Sequence, residues 1–187
     1  MLNRNSTKIS YIVKTAVMLA LLLGIQFATR SFGQFVTGPL VNLILLVSVF
    51  MIGLGGGLTV AVASNFLAFL AGIGPALPQV VPFAAVANAI FVIVAHALSR
   101  KRIAKKGLKD TALTAAGLVA AGAAKTAFLW VGLVFIALPL IPGLKEPQIA
   151  ALSAAFTWPQ LVTSLTGGAL AMLLVPLLKR AVGGAAK

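Results

Sequence analysis

The sequence predicts an all-α membrane protein, a bundle of six transmembrane helices with both termini cytoplasmic. Three observations carry that reading. Hydrophobic residues make up 60% of the chain and charged residues only 9%, with a mean hydropathy of +1.09, far from the composition of a water-soluble domain. All of the 15 basic residues except Arg30, Lys125 and Lys145 fall in three clusters: Arg4, Lys8 and Lys14; Arg100, Lys101, Arg102, Lys105, Lys106 and Lys109; Lys179, Arg180 and Lys187. Short loops rich in Lys and Arg stay cytoplasmic, so the clusters mark one side of the bilayer and an even number of spans separates neighbouring clusters. Finally, Gly and Pro cut the apolar sequence into pieces near the roughly 20 residues a spanning helix needs.

The first span runs from about Tyr11 to Ala28. Its apolar stretch is longer than the core of a cleaved signal peptide, so it reads as a span despite its basic start and the small residues near Ala28. The stretch from Val36 to Ala71 is too long for one helix and turns near Gly53, Gly55, Gly56 and Gly57. Without that turn, the first two basic clusters would lie on opposite sides. Spans two and three are then about Val36–Ile52 and Leu58–Ala71. After Gly72-Ile73-Gly74-Pro75-Ala76-Leu77-Pro78 comes span four, Val80–Leu98, because prolines of that kind end helices. Span five covers about Thr111–Leu138 and span six about Ile149–Leu178, separated by Pro139, Pro142, Gly143 and Pro147. The outer loops then hold only Arg30 and Lys145, in keeping with the orientation. No repeat or second domain is visible, and residues 1–187 read as one integral membrane domain of a multi-pass plasma-membrane protein.

The composition excludes several functions. A net charge of +13 in a soluble protein would suggest nucleic acid, but here the positive loops abut apolar spans, and anionic lipid of the inner leaflet explains the charge better. Nucleic acid is therefore not an expected partner. With no Cys, one His and two acids, Asp110 and Glu146, both read as loop residues, no metal site and no cofactor are expected. No intramembrane carboxylate is available to couple transport to protons or sodium. No phosphate-binding glycine loop is present either: Gly117 and Gly122 precede Lys125 at the wrong spacing and in a membrane setting. His96, near the cytoplasmic end of span four, has no identifiable catalytic partner. The chain is not expected to be an enzyme.

Ala16, Ala20, Gly24 and Ala28 recur every four residues and so line one face of span one. In lipid, helices associate where small residues let backbones come close, which makes the stripe a docking surface for another protein or a packing face within the bundle. Span five carries a second such face, Ala112, Ala116, Ala120 and Ala124, and one of the two faces is expected to be internal. With these residues in place, the chain resembles the substrate-binding S subunits of energy-coupling factor (ECF) vitamin transporters, six-helix proteins of about this size that use an Ala-xxx-Ala motif in the first helix to dock a shared transmembrane coupling subunit. Ala16 and Ala20 match that motif. The segment from Gln34 through Phe35, Val36, Thr37, Gly38, Pro39, Leu40 and Val41 to Asn42, and the stretch from Pro82 and Phe83 to Asn88, also look like a subgroup of these subunits. The resemblance implies that the coupling subunit and two ATPase subunits complete the transporter, and that this chain supplies affinity for a vitamin, with a lean toward cobalamin. Pantothenate, folate and riboflavin are alternatives. A self-contained membrane scaffold or channel-like oligomer, packing through both small-residue faces, is the rival class.

Polar residues in a bilayer are costly and tend to be used. On the predicted topology the outward half of the bundle collects Asn42, Asn65, Asn88, Trp158, Gln160 and Thr163, with Arg30, Gln34 and Gln79 in outer loops that can close over a ligand. For each amide the plain alternative is an interhelical hydrogen bond that fixes packing. Lys125 lies roughly 22 Å along the helix from Asp110, at about 1.5 Å per residue. Its charge is met by backbone carbonyls, by snorkelling to water, or by a ligand carboxylate or phosphate. Trp130 reads as an interface anchor, while Trp158 suits either anchoring or stacking on a flat ligand.

Overall fold

The computed structural model describes residues 2–75 and 77–184, so Ala76 and the terminal Lys187 of the last basic cluster lie outside the described residues. The chain is all helical. Helix α1 is Leu2–Thr29, followed by a single 3₁₀ turn, Arg30–Phe32; α2 is Gln34–Ile52, α3 Leu54–Leu70 and α4 Val80–Ser99. Helix α5, Leu108–Phe128, runs on through a wider π-helical stretch, Leu129–Ala137, and a last turn, Leu138–Leu140. Helices α6, Glu146–Ala155, and α7, Trp158–Gly184, complete the chain.

Four of the sequence expectations shift. The turn between α2 and α3 is made by Gly53 alone, whose φ of 103° is a conformation that side chains other than hydrogen rarely adopt; Gly55, Gly56 and Gly57 are already helical. Asp110 and Glu146 are not in loops but in the first turns of α5 and α6, where a carboxylate favours the positive end of the helix dipole. Arg30 and Gln34 likewise belong to the 3₁₀ turn and to α2 rather than to a loop. The largest change is in the last expected span, which is two helices broken at Phe156 and Thr157. Pro159 explains the break: its ring clashes with the carbonyl four residues back, that of Ala155, and it has no N–H to offer that carbonyl.

By length and apolarity five stretches can cross a membrane: 7–32, 34–52, 80–99, 108–140 and 146–182. Helix α3, with 17 residues, is about 26 Å long, somewhat short of the ~30 Å hydrocarbon core.

Helices α2, α3, α4, α5 and α7 pack in a closed ring, each on the next, while α1 leans on α2 and α3 from outside. The core at one end of the ring joins Leu45, Leu46, Val49, Val60, Phe91, Val92, Leu118 and Val175; a second, smaller cluster of Val80, Ala87, Leu129, Leu133 and Leu138 lies where α4 meets the π-helical stretch. The tightest approach is between α2 and α7. A methyl group on Gly167 would stand 2.7 Å from both the Asn42 Cβ and the Pro39 carbonyl oxygen, and one on Gly38 would stand 2.7 Å from the Thr163 methyl. Two glycines thus allow the backbones to touch, the close contact by which helices associate in lipid.

Both small-residue faces point outward, contrary to the expectation that one is internal. Ala16, Ala20, Gly24 and Ala28 are all exposed, as are Ala112, Ala116 and Ala120, while Ala124 is half-buried. The inner face of α5 is instead Thr114, Gly117, Leu118, Ala121, Gly122 and Lys125.

Candidate functional site

At the end of the bundle that holds the α1–α2 turn, the α3–α4 loop and α6, the helices part around a cavity of about 300 Å³. Every helix contributes to its wall: Gln26 from α1; Gln34, Thr37, Gly38, Val41 and Asn42 from α2; Asn65 from α3; Ala84 and Asn88 from α4; Lys125 and Leu129 from α5 and its extension; Leu152 and Ala155 from α6; Gln160 from α7. Ile73, Gly74 and Pro75 of the α3–α4 loop and Phe156 at the α6–α7 break complete it.

Lys125 is the only charged residue in the wall. It is 4% exposed, and its ammonium donates one hydrogen bond, 2.8 Å long, to Asn42 Oδ1. The ring of Phe91 lies 5.4 Å away, a cation–π contact. Among the described residues the ammonium bonds no backbone carbonyl, so one of the three ways of meeting its charge that the sequence left open is not used. Asn42 is held in turn, its Nδ2 donating to Thr163 Oγ1 at 3.4 Å, and Thr163 donates to the Gln160 carbonyl at 3.2 Å. The series Lys125, Asn42, Thr163 aims the ammonium from behind. Opposite, Asn88 Nδ2 donates to Asn65 Oδ1 at 3.4 Å, and Asn65 to the Ala61 carbonyl.

The break in the last span has a chemical use. The Ala155 carbonyl, which Pro159 cannot bond, accepts from Gln34 Nε2 at 3.0 Å and from Gln160 Nε2 at 3.2 Å. Two side chains from α2 and α7 thus fasten α6 over the cavity. Thr37 adds a tie between α2 and α1, donating to the Thr29 carbonyl at 2.9 Å.

Of the residues singled out in the sequence, Gln34, Asn42, Asn65, Asn88, Lys125 and Gln160 line one cavity, and Thr163 stands directly behind Asn42. Arg30, Gln79 and Trp158 do not line it. Arg30 is exposed, with its guanidinium 4.8 Å from the Phe27 ring centre. Gln79 is exposed at the start of α4, and Trp158 is 63% exposed with its ring centre 5.6 Å from that of Phe35. Trp130, 51% exposed, lies against Phe135, on the outside of the bundle. Residues that sequence reasoning passed over are Gln26 and the α6 surface. The first was read as part of an apolar span; the second was hidden because its segment was read as a straight continuation of span six, although Pro159 signals the break.

Among the described residues no group of His and acidic side chains is placed to hold a metal ion, and His96 contacts only Arg100 among charged side chains, at 3.4 Å. What the wall offers is one cation, several amides and apolar surface, the make-up of a small-molecule pocket. Neither a curated protein nor a solved structure matches the chain. A family model described as ECF transporter, substrate-specific component, matches residues 11–179. Since that match takes in all but the ends of the polypeptide, the chain belongs to the family of substrate-specific components of ECF transporters: it is a multi-pass transporter subunit that works with an ECF module, and not an enzyme.

Proposed function

We propose that the chain is the specificity subunit for a compact, acid-bearing, water-soluble vitamin, bound from outside in the cavity around Lys125 and delivered by an ATP-driven coupling module. The carrying observation is Lys125 itself. An ammonium taken out of water is costly unless a counter-charge meets it, and the chain's two acids lie at the starts of α5 and α6, away from the cavity lining. One neutral amide oxygen and an aromatic face are incomplete compensation. A ligand carboxylate supplies the rest as a charge-assisted hydrogen bond.

Size and lining narrow the class. A cavity of about 300 Å³ is at the lower end for small-molecule sites and favours pantothenate over the far larger cobalamin toward which the motif resemblance leans. Folate and riboflavin carry flat rings that call for stacking, yet Phe156 is the only aromatic side chain in the wall and both tryptophans face outward. The amides of Gln34, Asn65, Asn88 and Gln160 suit the amide and hydroxyl groups of a short polar acid.

In this reading the chain crosses the membrane six times with both ends inside. Helix α3 takes part despite its length, by local thinning of the bilayer. The cavity then opens outward, and the exposed Ala16, Ala20, Gly24 and Ala28 stripe of α1 receives the coupling subunit. Mass spectrometry of the compound that stays with the chain through purification in mild detergent tests the proposal. A small organic acid is expected; a corrinoid, or no retained compound from cells supplied with vitamins, would sink it.

A further inference from the structure

We propose that the pocket between the α4–α5 turn and α7 seats the phosphate of one anionic phospholipid, with Arg102 and Lys105 as its cationic contacts and Thr111 as a hydroxyl donor. The pocket, of about 70 Å³, lies at the end of the bundle opposite the substrate cavity. In the orientation proposed above this end meets the inner leaflet, whichever substrate the cavity takes. The turn gives Arg102, Ile103 and Lys105 to the wall, α5 gives Thr111, and α7 gives the apolar Met172 and Pro176. Charge selects the ligand. Residues 100–110 carry six basic side chains and one acid, Asp110, which approaches Arg102 Nε only to 3.9 Å. Arg102 spends one N–H on the Leu98 carbonyl at 3.2 Å, and its guanidinium keeps further donors. Lys105 and Thr111 make no side-chain hydrogen bond or ion pair among the described residues. A phosphate group supplies the negative charge and the acceptor oxygens that these groups lack.

The turn is fixed before any ligand arrives. Ile103 is buried in the core, and its N–H and that of Arg102 both donate to the Ser99 carbonyl, at 2.9 and 3.0 Å. Ser99 Oγ in turn donates to the Thr114 carbonyl at 3.3 Å, joining α4 to α5, and the Lys105 N–H closes the turn on the Arg102 carbonyl at 2.8 Å. Arg102 and Lys105 are thus carried on pinned backbone. The surroundings suit a lipid rather than a free anion. Leu108, between the basic residues Lys106 and Lys109, is 88% exposed, and Leu173 and Leu177, each next in sequence to an α7 residue of the wall, are exposed as well. At the boundary of headgroups and acyl chains such leucines are covered by lipid. A phospholipid can lay its chains on this apolar surface while its phosphate meets the basic turn.

The test reads the lipid that stays with the full-length chain, by native mass spectrometry, after reconstitution into vesicles of equal parts phosphatidylglycerol and phosphatidylcholine and extraction in mild detergent. Wild type should keep one phosphatidylglycerol in preference to phosphatidylcholine. Lys105→Gln removes a side chain that has no partner among the described residues, so the fold is not at stake. It should lower retention about fivefold, the worth of one lysine at an anionic surface. Arg102→Gln combined with Lys105→Gln should bring retention down to the phosphatidylcholine level. Lys101→Gln combined with Lys106→Gln removes the same charge from exposed positions outside the pocket and should leave retention near the wild-type value. No preference for phosphatidylglycerol, or equal losses from the two double variants, overturns the site in favour of diffuse surface charge. Binding of inorganic phosphate to the delipidated chain, with the same sensitivity to Lys105→Gln and no retained lipid, assigns the pocket to a free anion and overturns the lipid. Unchanged retention in Lys105→Gln, beside weaker co-purification with the coupling subunit, assigns the pocket to a protein contact and overturns the proposal likewise.

Discussion

Lys125 combines a stability cost and a binding role in one side chain. Replacing it with Met fills nearly the same space, removes a buried charge whose only hydrogen-bond acceptor is Asn42, and leaves Asn42 its bond to Thr163. The unliganded chain should therefore unfold at a higher temperature by circular dichroism. The same change should weaken substrate binding by about 1.5–3 kcal/mol, the worth of a hydrogen bond to a charged group, or roughly 10- to 150-fold in Kd. Asn42→Leu acts in the opposite sense on stability, stranding the ammonium, with an expected loss of about 1–3 kcal/mol in the same unfolding measurement; a midpoint equal to wild type would show that Lys125 has another acceptor. At this scale much of the site was legible, because Asn42, Asn65, Asn88 and Lys125 stand out against apolar spans. Gln26 was not, since a lone amide near the end of a span looks like an interface residue until its direction is known. Arg30, Gln79 and Trp158 gave the same compositional signal, but at or near helix ends and turns the residue type does not say which way a side chain points.

Contacts between elements depend on what small residues admit. Gly167→Val places new atoms against the Asn42 Cβ and the Pro39 carbonyl, so α2 and α7 must separate; a loss of about 1–3 kcal/mol is expected from overpacking, together with weaker binding as Asn42 moves. A variant of wild-type stability would place the two helices farther apart than described. On α1 the small residues are exposed instead, with only 11% of its apolar window buried. Ala16→Leu combined with Ala20→Leu should abolish co-purification with the coupling subunit while leaving substrate affinity intact, and persistence of the complex would move docking to another surface. The all-helical class and most helix boundaries were readable from apolar length and from Gly and Pro. The division of the last span was missed because its hydropathy continues across the break, and only the steric demand of Pro159 on the Ala155 carbonyl reveals it.

For the molecule as a whole, the orientation proposed above rests on the distribution of charge. Because the chain has no Cys, single-cysteine variants can be labelled without background: Lys8→Cys and Lys105→Cys should react with a membrane-impermeant maleimide only in inverted vesicles, and Lys145→Cys only in intact cells. Labelling of Lys8→Cys from outside would invalidate the six-crossing arrangement. The basic clusters alone carry the expectation of this arrangement, whereas the closed ring of five helices with α1 outside it was not legible, since nothing in the sequence distinguishes which of two small-residue faces meets a neighbour. The double attachment of Gln34 and Gln160 to the Ala155 carbonyl has a consequence for exchange with the surroundings. Both bonds meet at a single oxygen, while Leu152 of α6 and Phe156 just beyond it pack on the second apolar cluster. Moving α6 away from the cavity would therefore cost the exposure of that apolar surface as well as the two hydrogen bonds, so the cover is held by packing and by a single polar anchor together.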